Sequence, residues 1–146
     1  MVEPRSRPPE GLALDSAAGL ADWARGELLH RPVDWHGICR VFLRETDRWF
    51  RHGLTAEQID HLTAEAPEPT GDPRCDALLE GMVAHQLHVH GRAAPDWTRT
   101  TELADGWGPF VEDWTPNEAV VMSLLQTPAE LFAKGVILPR TAFQVV

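Results

Sequence analysis

The amino-acid sequence predicts an all-α fold, a compact bundle of about six short helices with a tryptophan-rich core. Apolar residues recur at intervals of three and four in several segments, which is the spacing of one face of a helix. Capping residues precede those segments, and the 11 glycines and 12 prolines separate them. With 146 residues, 43% of them hydrophobic, the chain is long enough to bury a core as one domain.

The predicted domain covers residues 12–146, after a disordered arm over residues 1–11 that is rich in proline and charge. The predicted helices run from about Ser16 to Leu29, Val33 to Arg51, Thr55 to Glu65, Pro73 to His90, Pro116 to Leu125 and Pro128 to Lys134. A further short helix is possible near Thr101–Asp105. The proline-rich linker over residues 66–73 either divides two subdomains or forms a surface loop. Residues 136–138 either form a short strand or pack on the core.

Polar residues at the expected helix starts specify several of these boundaries. Asp15 is expected to cap the first helix, and Thr55 with Gln58 has the spacing of a capping box. The pattern Thr-Pro-x-Glu then occurs twice, at Thr115–Glu118 and Thr127–Glu130, and predicts two more capping boxes.

The formal net charge of −9 limits the classes of partner. Nucleic-acid binding needs clustered Lys and Arg, and anionic membranes repel an acidic protein, so we expect neither partner. The segment Gly53–Ile59 is similar to the first helix of a helix-turn-helix, but the linker at 66–73 leaves no place for a recognition helix. Complementary charge favours a basic protein partner. Alternatively, the acidity serves only solubility.

The cysteine count and the hydropathy pattern predict a cytoplasmic protein. Cys39 and Cys75 are too few for a disulfide framework, and we expect both to be reduced thiols on helices. Cys75 falls in the first turn of the fourth helix, where the helix dipole can lower the pKa of a thiol. Met1–Glu10 has no apolar stretch, so we expect no signal peptide, and no run reaches the roughly 18 apolar residues of a membrane span.

No sequence pattern commits the chain to catalysis or to a cofactor. Nucleophile-elbow, phosphate-loop and dinucleotide-binding motifs are absent, so we expect no catalytic residue and no cofactor. His85 and His88, three apart on one helix face, are the best metal-ligand candidates, with His90 close by. Zinc needs a third or fourth ligand, and no spacing selects one. A solvated polar face is therefore the favoured interpretation.

Aromatic residues crowd into one C-terminal stretch. Trp97, Trp107, Phe110 and Trp114 fall within 18 residues, with glycines and prolines between them. Tryptophan is enriched in binding hot spots because it offers a large area and an N–H donor, so these four are the predicted partner-binding residues. Alternatively, they fill the core of the small bundle.

The stretch from Pro95-Asp96-Trp97 to Phe132-Ala133-Lys134-Gly135-Val136, preceded by the helix Asp76–His85, resembles a C-terminal helical module of actinobacterial antitoxin-like and regulatory proteins. The similarity covers about residues 72–138, half of the chain. In that family the module often follows a helix-turn-helix domain or lies beside a nucleotidyltransferase-type toxin. This chain has no convincing helix-turn-helix, so the resemblance does not extend to autoregulatory DNA binding.

The resemblance implies a cytoplasmic, antitoxin-like regulatory module that binds a more basic protein. Two alternatives remain open. One is a structural component that self-associates through an apolar face. The other is a metal-dependent protein that uses His85 and His88.

Overall fold

A computed structural model describes residues 15–110 and 118–139, and within these segments the chain is all-α, as predicted. The α-helices are α1 (Ala17–Glu27), α2 (Trp35–Arg51), α3 (Ala56–Thr63), α4 (Pro73–Val89), α5 (Glu118–Gln126) and α6 (Ala129–Phe132). One 3-10 helix covers Asp96–Arg99. The predicted arm over residues 1–11, the capping box at Thr115 and the predicted binding residue Trp114 lie outside the described residues.

Helix α4 is the centre of the bundle. Asp72 caps it by accepting the Arg74 N–H at 2.9 Å, and Pro73 takes the first turn, where no N–H donor is needed. Helices α1, α2, α6 and the 3-10 helix all pack against it. Because it is surrounded, α4 is buried on nearly every side, including the polar side chains of Glu80 and Gln86. The spacing of Leu78, Met82 and Leu87 in the sequence predicts burial of one face only.

The predicted cap is confirmed at the start of α3, and a different residue caps α1. Thr55 and Gln58 form the predicted capping box, with N–H to side-chain oxygen distances of 2.8 and 3.2 Å. Helix α1 is capped by Ser16 rather than by Asp15, since the Ser16 hydroxyl accepts the Gly19 N–H at 3.0 Å. The Asp15 carbonyl instead accepts the Trp49 indole N–H at 2.8 Å.

The core is mainly aliphatic, and a tryptophan-rich core is not confirmed. Of the tryptophans in the described residues, Trp49 is fully buried, whereas Trp23 is 36% exposed. Trp35, Trp97 and Trp107 are half-buried and pack against the edge of the core. Its largest fully buried members, besides Trp49, are Phe42, Leu20, Ile38, Leu43, Leu78, Met82, Leu87, Leu131 and Leu138.

Irregular backbone joins the 3-10 helix to the segment after α6. The short helix that the sequence allows near Thr101–Asp105 does not form, because the Leu103 N–H donates to the Lys134 carbonyl at 2.8 Å instead of to a helical neighbour. Trp107 and Val136 then form a parallel β-bridge, and residues 136–138 are buried. Gly135 ends the α6 turn at φ +79°, and a Cβ there would lie 2.8 Å from the Leu103 carbonyl oxygen. None of the helices in the described segments is long and apolar enough to cross a bilayer.

Close packing of α6 on α4 at Gly81 yields a stability prediction. A Cβ at position 81 would lie 2.5 Å from a methyl carbon of Leu131 and 3.3 Å from its Cα. We expect Gly81→Ala to lower the free energy of unfolding by about 1–3 kcal/mol through overpacking, measured by urea denaturation.

The control is Gly26→Ala in α1, where a Cβ meets nothing within 4 Å. That change is expected to raise the free energy of unfolding by about 0.5–1 kcal/mol, since alanine is the better helix former. Equal effects of the two substitutions would contradict the close α4–α6 contact.

Candidate functional site

A carboxylate on α6 bridges the two candidate histidines of α4. Glu130 Oε1 lies 3.1 Å from His85 Nδ1, and Glu130 Oε2 lies 2.8 Å from His88 Nδ1. An ionised carboxylate can only accept hydrogen bonds, so each imidazole donates from Nδ1. The histidine face of α4 is therefore covered by α6 rather than fully solvated, with 16% of the His85 side chain and 46% of the His88 side chain exposed.

This bridge uses the glutamate that the sequence assigned to a helix cap. Thr127 and Glu130 do not form the predicted capping box, and α6 has no side-chain cap. The Thr127 hydroxyl donates to the Ser123 carbonyl at 2.6 Å and accepts the Leu138 N–H at 3.0 Å. The carboxylate is consequently free to join α6 to α4.

His90 is not part of this cluster. Its ring stacks on Phe50 of α2, with centroids 3.9 Å apart, and its Nδ1 lies 2.9 Å from the Gln86 carbonyl oxygen. Within the described part of the chain, no group of three or more His, Cys, Asp or Glu side chains is arranged to hold a metal ion. His85, His88 and Glu130 thus form a hydrogen-bonded cluster between two helices.

The pKa of Glu130 is lowered by its contacts between α4 and α6. Burial raises the pKa, but hydrogen bonds from His88, from the glutamate's own backbone N–H and from His85 outweigh burial. The pKa therefore lies below its ordinary value, and the carboxylate stays ionised in the folded protein.

A second, deeper carboxylate cluster lies one turn earlier on α4. Glu80, 7% exposed, accepts a hydrogen bond from the Lys134 ammonium at 2.9 Å. Its two oxygens also accept the backbone N–H and the hydroxyl of Thr100 and of Thr101, at 2.6–3.0 Å. Burial raises the Glu80 pKa, but the bonds from Thr101 and Lys134 outweigh burial and lower it. The fully satisfied carboxylate ties the segment after the 3-10 helix and the end of α6 to α4.

A groove of about 510 Å³ opens beside these clusters, between α6, the end of α4 and the segment around the 3-10 helix. We call it the α4–α6 groove. Its small side chains are Ala84, Ala94, Ala129 and Ala133. His88 and Glu130 line it from the helices, and Arg99 and Glu102 line it from the other segment.

Two of the predicted partner-binding residues contact neighbouring positions of α2. The Trp107 ring meets the Trp35 ring edge-on, with centroids 4.8 Å apart, and the Phe110 ring lies 4.7 Å from the ring of His36. The Arg74 guanidinium lies 4.8 Å from the centre of the Trp35 ring. These rings are half-buried except for the exposed His36, so they form an aromatic patch that also attaches the 107–110 segment to α2.

Trp97 lies apart from that patch. Its indole N–H donates to the Thr63 carbonyl at 2.8 Å, and its ring lines a separate cavity of about 240 Å³ with Leu79 and Pro67. The structure therefore separates Trp97 from Trp107 and Phe110, although the sequence grouped them.

An exposed apolar surface that the sequence pattern did not predict lies on α5. On α5, Val121 (47% exposed), Met122 (43%), Leu124 (36%) and Leu125 (75%) share one side of the helix by their spacing. We call these four side chains the α5 face. Phe132 on the next helix is 51% exposed. The signal in the sequence was the run Val120–Leu125, in which five of six residues are apolar; such a helix is either buried or exposes an apolar side.

The cysteines are poor nucleophiles in this fold. Cys39 and Cys75 are unpaired, buried thiols. Burial raises the pKa of each to about 12, and at Cys75 it outweighs the hydrogen bond with Thr70, which lowers the pKa. Both thiols are protonated at neutral pH.

The Glu80–Lys134 pair yields a prediction for a double-mutant cycle. We expect Glu80→Gln or Lys134→Met alone to lower the free energy of unfolding by about 3–5 kcal/mol, because each leaves a buried group without its counter-charge. The double variant should lose less than the sum of the two, with a coupling of about 0.5–3 kcal/mol, measured by urea denaturation. Additive losses would contradict a direct buried pair.

The Glu130 bridge predicts how stability changes with pH. A carboxylate whose pKa is lowered by folding stabilises the protein above its unfolded pKa, close to 4.5, and loses this contribution as the pH falls through the folded pKa. We expect Glu130→Gln to be less stable than the native protein at neutral pH and to lose less stability on acidification below pH 4.5. Urea denaturation across a pH series measures both.

The control for the pH series is Glu102→Gln, since Glu102 is exposed and makes no ion pair with any described residue. That variant should follow the acid dependence of the native protein. A Glu130→Gln variant with the same acid dependence as the native protein would rule out the bridge as a source of stability.

No protein-family model, no curated protein and no solved structure matches this chain. The likeness to the antitoxin-like module therefore remains one of short sequence motifs, and function has to be inferred from the surfaces of the molecule itself.

Proposed function

We propose that this chain is a cytoplasmic, antitoxin-like regulatory module that binds a more basic protein through the α5 face and Phe132. The observation that carries the proposal is the exposure of that face. Contiguous apolar patches beyond a few hundred Å² are rare on monomers and mark interaction surfaces. Leu125, 75% exposed, would gain the most from burial against a partner.

The chain's charge favours a basic partner over a second copy. Two copies with a net charge of −9 repel each other, whereas a basic protein is attracted and oriented by the same field. From residue 121 to residue 126, α5 has no ionisable side chain, so its exposed face can be desolvated without burying a charge. Affinity would therefore come from apolar burial, and the distributed acidic charge would guide the encounter.

A matched pair of substitutions tests this surface. Leu125→Glu places a charge in the proposed interface, while Leu29→Glu makes the same change at another highly exposed leucine, 79% exposed, after α1. We expect native protein and Leu29→Glu to retain one stoichiometric basic protein from host lysate at moderate salt. Leu125→Glu should weaken that binding at least tenfold, about 1.4 kcal/mol, by titration with the identified partner.

Two further measurements separate the alternatives. Trp107→Ala tests the aromatic patch, and we expect it to weaken binding less than Leu125→Glu does. Sedimentation of the native protein across a concentration series tests self-association. Partner binding that survives Leu125→Glu but not Trp107→Ala would move the site to the aromatic patch. A dimer disrupted by Leu125→Glu, with no basic partner retained, would replace the proposal with self-assembly.

A further inference from the structure

We propose that the α4–α6 groove receives a lysine or arginine side chain of the basic partner. The inference rests on the proposed protein-binding function, and it gives that partner a specific chemical contact. The groove has the two features that such a side chain needs, an apolar surface for its stem and unmatched acceptors for its charged end.

The size and lining of the groove suit a long, narrow side chain. Its volume of about 510 Å³ lies within the range of roughly 300–1,000 Å³ typical of ligand sites. Ala129 begins α6 and Ala133 caps its end one turn later, while Ala84 and Ala94 lie on the other walls. Because alanine side chains are small, they leave space for the methylene stem of a lysine or arginine and offer it an apolar surface.

The charges around the groove are unevenly matched. Among the described residues, the two cationic side chains that line it are already paired, Lys134 with the buried carboxylate of Glu80 and Arg99 with Asp96. Glu102 is exposed and makes no hydrogen bond or ion pair with any residue that the structure describes. With respect to the described residues, the rim therefore offers an unpaired carboxylate, for which a cation is the complementary ligand.

His88 adds a second acceptor. Because its Nδ1 donates to Glu130, the neutral ring has its lone pair on Nε2. Glu130 itself already accepts hydrogen bonds from both histidine side chains and retains its negative charge. His88 and Glu102 both line the groove and supply acceptors for a basic side chain, whereas an anionic ligand would meet the carboxylates of Glu102 and Glu130.

The probes for this site are Nα-acetyl-lysine amide, Nα-acetyl-arginine amide and the uncharged Nα-acetyl-norleucine amide. We would titrate each into native protein carrying ¹³C-labelled alanine methyl groups and follow the four groove alanines by NMR. The two cationic probes are expected to shift those methyl signals saturably, with a Kd on the order of 1 mM, and norleucine amide is expected to bind at least threefold more weakly. Equal binding of all three would overturn the proposal.

Variants locate the charge requirement and separate this proposal from the preceding one. Glu102→Gln should weaken the cationic probes at least threefold, and Glu27→Gln on α1, which contributes no residue to the groove lining, should not. Leu125→Glu should leave the titration unchanged, because α5 residues do not line the groove. Unchanged probe binding by Glu102→Gln, or shifts confined to other alanines, would refute the groove site, whatever the outcome of the partner-binding experiment. If Leu125→Glu loses the partner but still binds the cationic probes like the native protein, the groove site stands independently of the α5 face.

Discussion

The buried carboxylate of Glu80 is the interaction on which the C-terminal half of this fold depends. A charge that is 7% exposed is tolerated only when its hydrogen-bonding capacity is used. The donors come from positions 20, 21 and 54 residues later in the chain, so a single side chain holds two distant segments against α4. Lys134 also donates to the Thr101 carbonyl at 3.1 Å, which closes the network between those segments. The α4–α6 groove exists because this network fixes its walls.

Helix α6 is short, and its position comes from tertiary contacts rather than from helix propensity. A four-residue helix has little stability of its own. Leu131 packs where α4 has no side chain, at Gly81, and Glu130 bridges two histidines on the same helix. These contacts use the inward side of α6. Phe132 therefore faces outward, and the alanines at 129 and 133 line the groove.

The parts of the fold that the sequence predicted correctly are those set by neighbours within one turn. The Thr55–Gln58 capping box and the left-handed turn at Gly135, just after α6, need no distant partner. The Thr127–Glu130 pattern has the same local chemistry, yet it fails as a cap because Leu138 and the α4 histidines offer both side chains other bonds. A local sequence pattern cannot show whether a side chain will cap its own helix or bond to a partner more than 40 residues away.

The same limit explains what the sequence could say about the candidate sites. Spacing alone placed His85 and His88 on one face of α4, but it could not identify Glu130 as the group that covers that face. Nor could composition decide which aromatic residues would be enclosed. Trp97 and Trp107 lie in the same stretch of sequence, yet the Trp97 indole bonds to Thr63 at the end of α3, whereas the Trp107 ring packs on Trp35 at the start of α2.

The distribution of charge in this molecule bears on how fast a partner associates more than on how tightly it is held. Many of its acidic groups are paired locally, including the buried Glu45, which accepts hydrogen bonds from Arg44 and Arg48 at 3.1–3.3 Å. The net charge of −9 therefore acts mainly as a long-range electrostatic field and less through unpaired carboxylates. Such a field raises the rate at which a basic partner arrives and is weakened by salt. Apolar burial on the α5 face, together with a cation held in the groove, would instead govern how slowly that partner leaves. Binding by this chain should thus depend on salt mainly through association and on Leu125 mainly through dissociation.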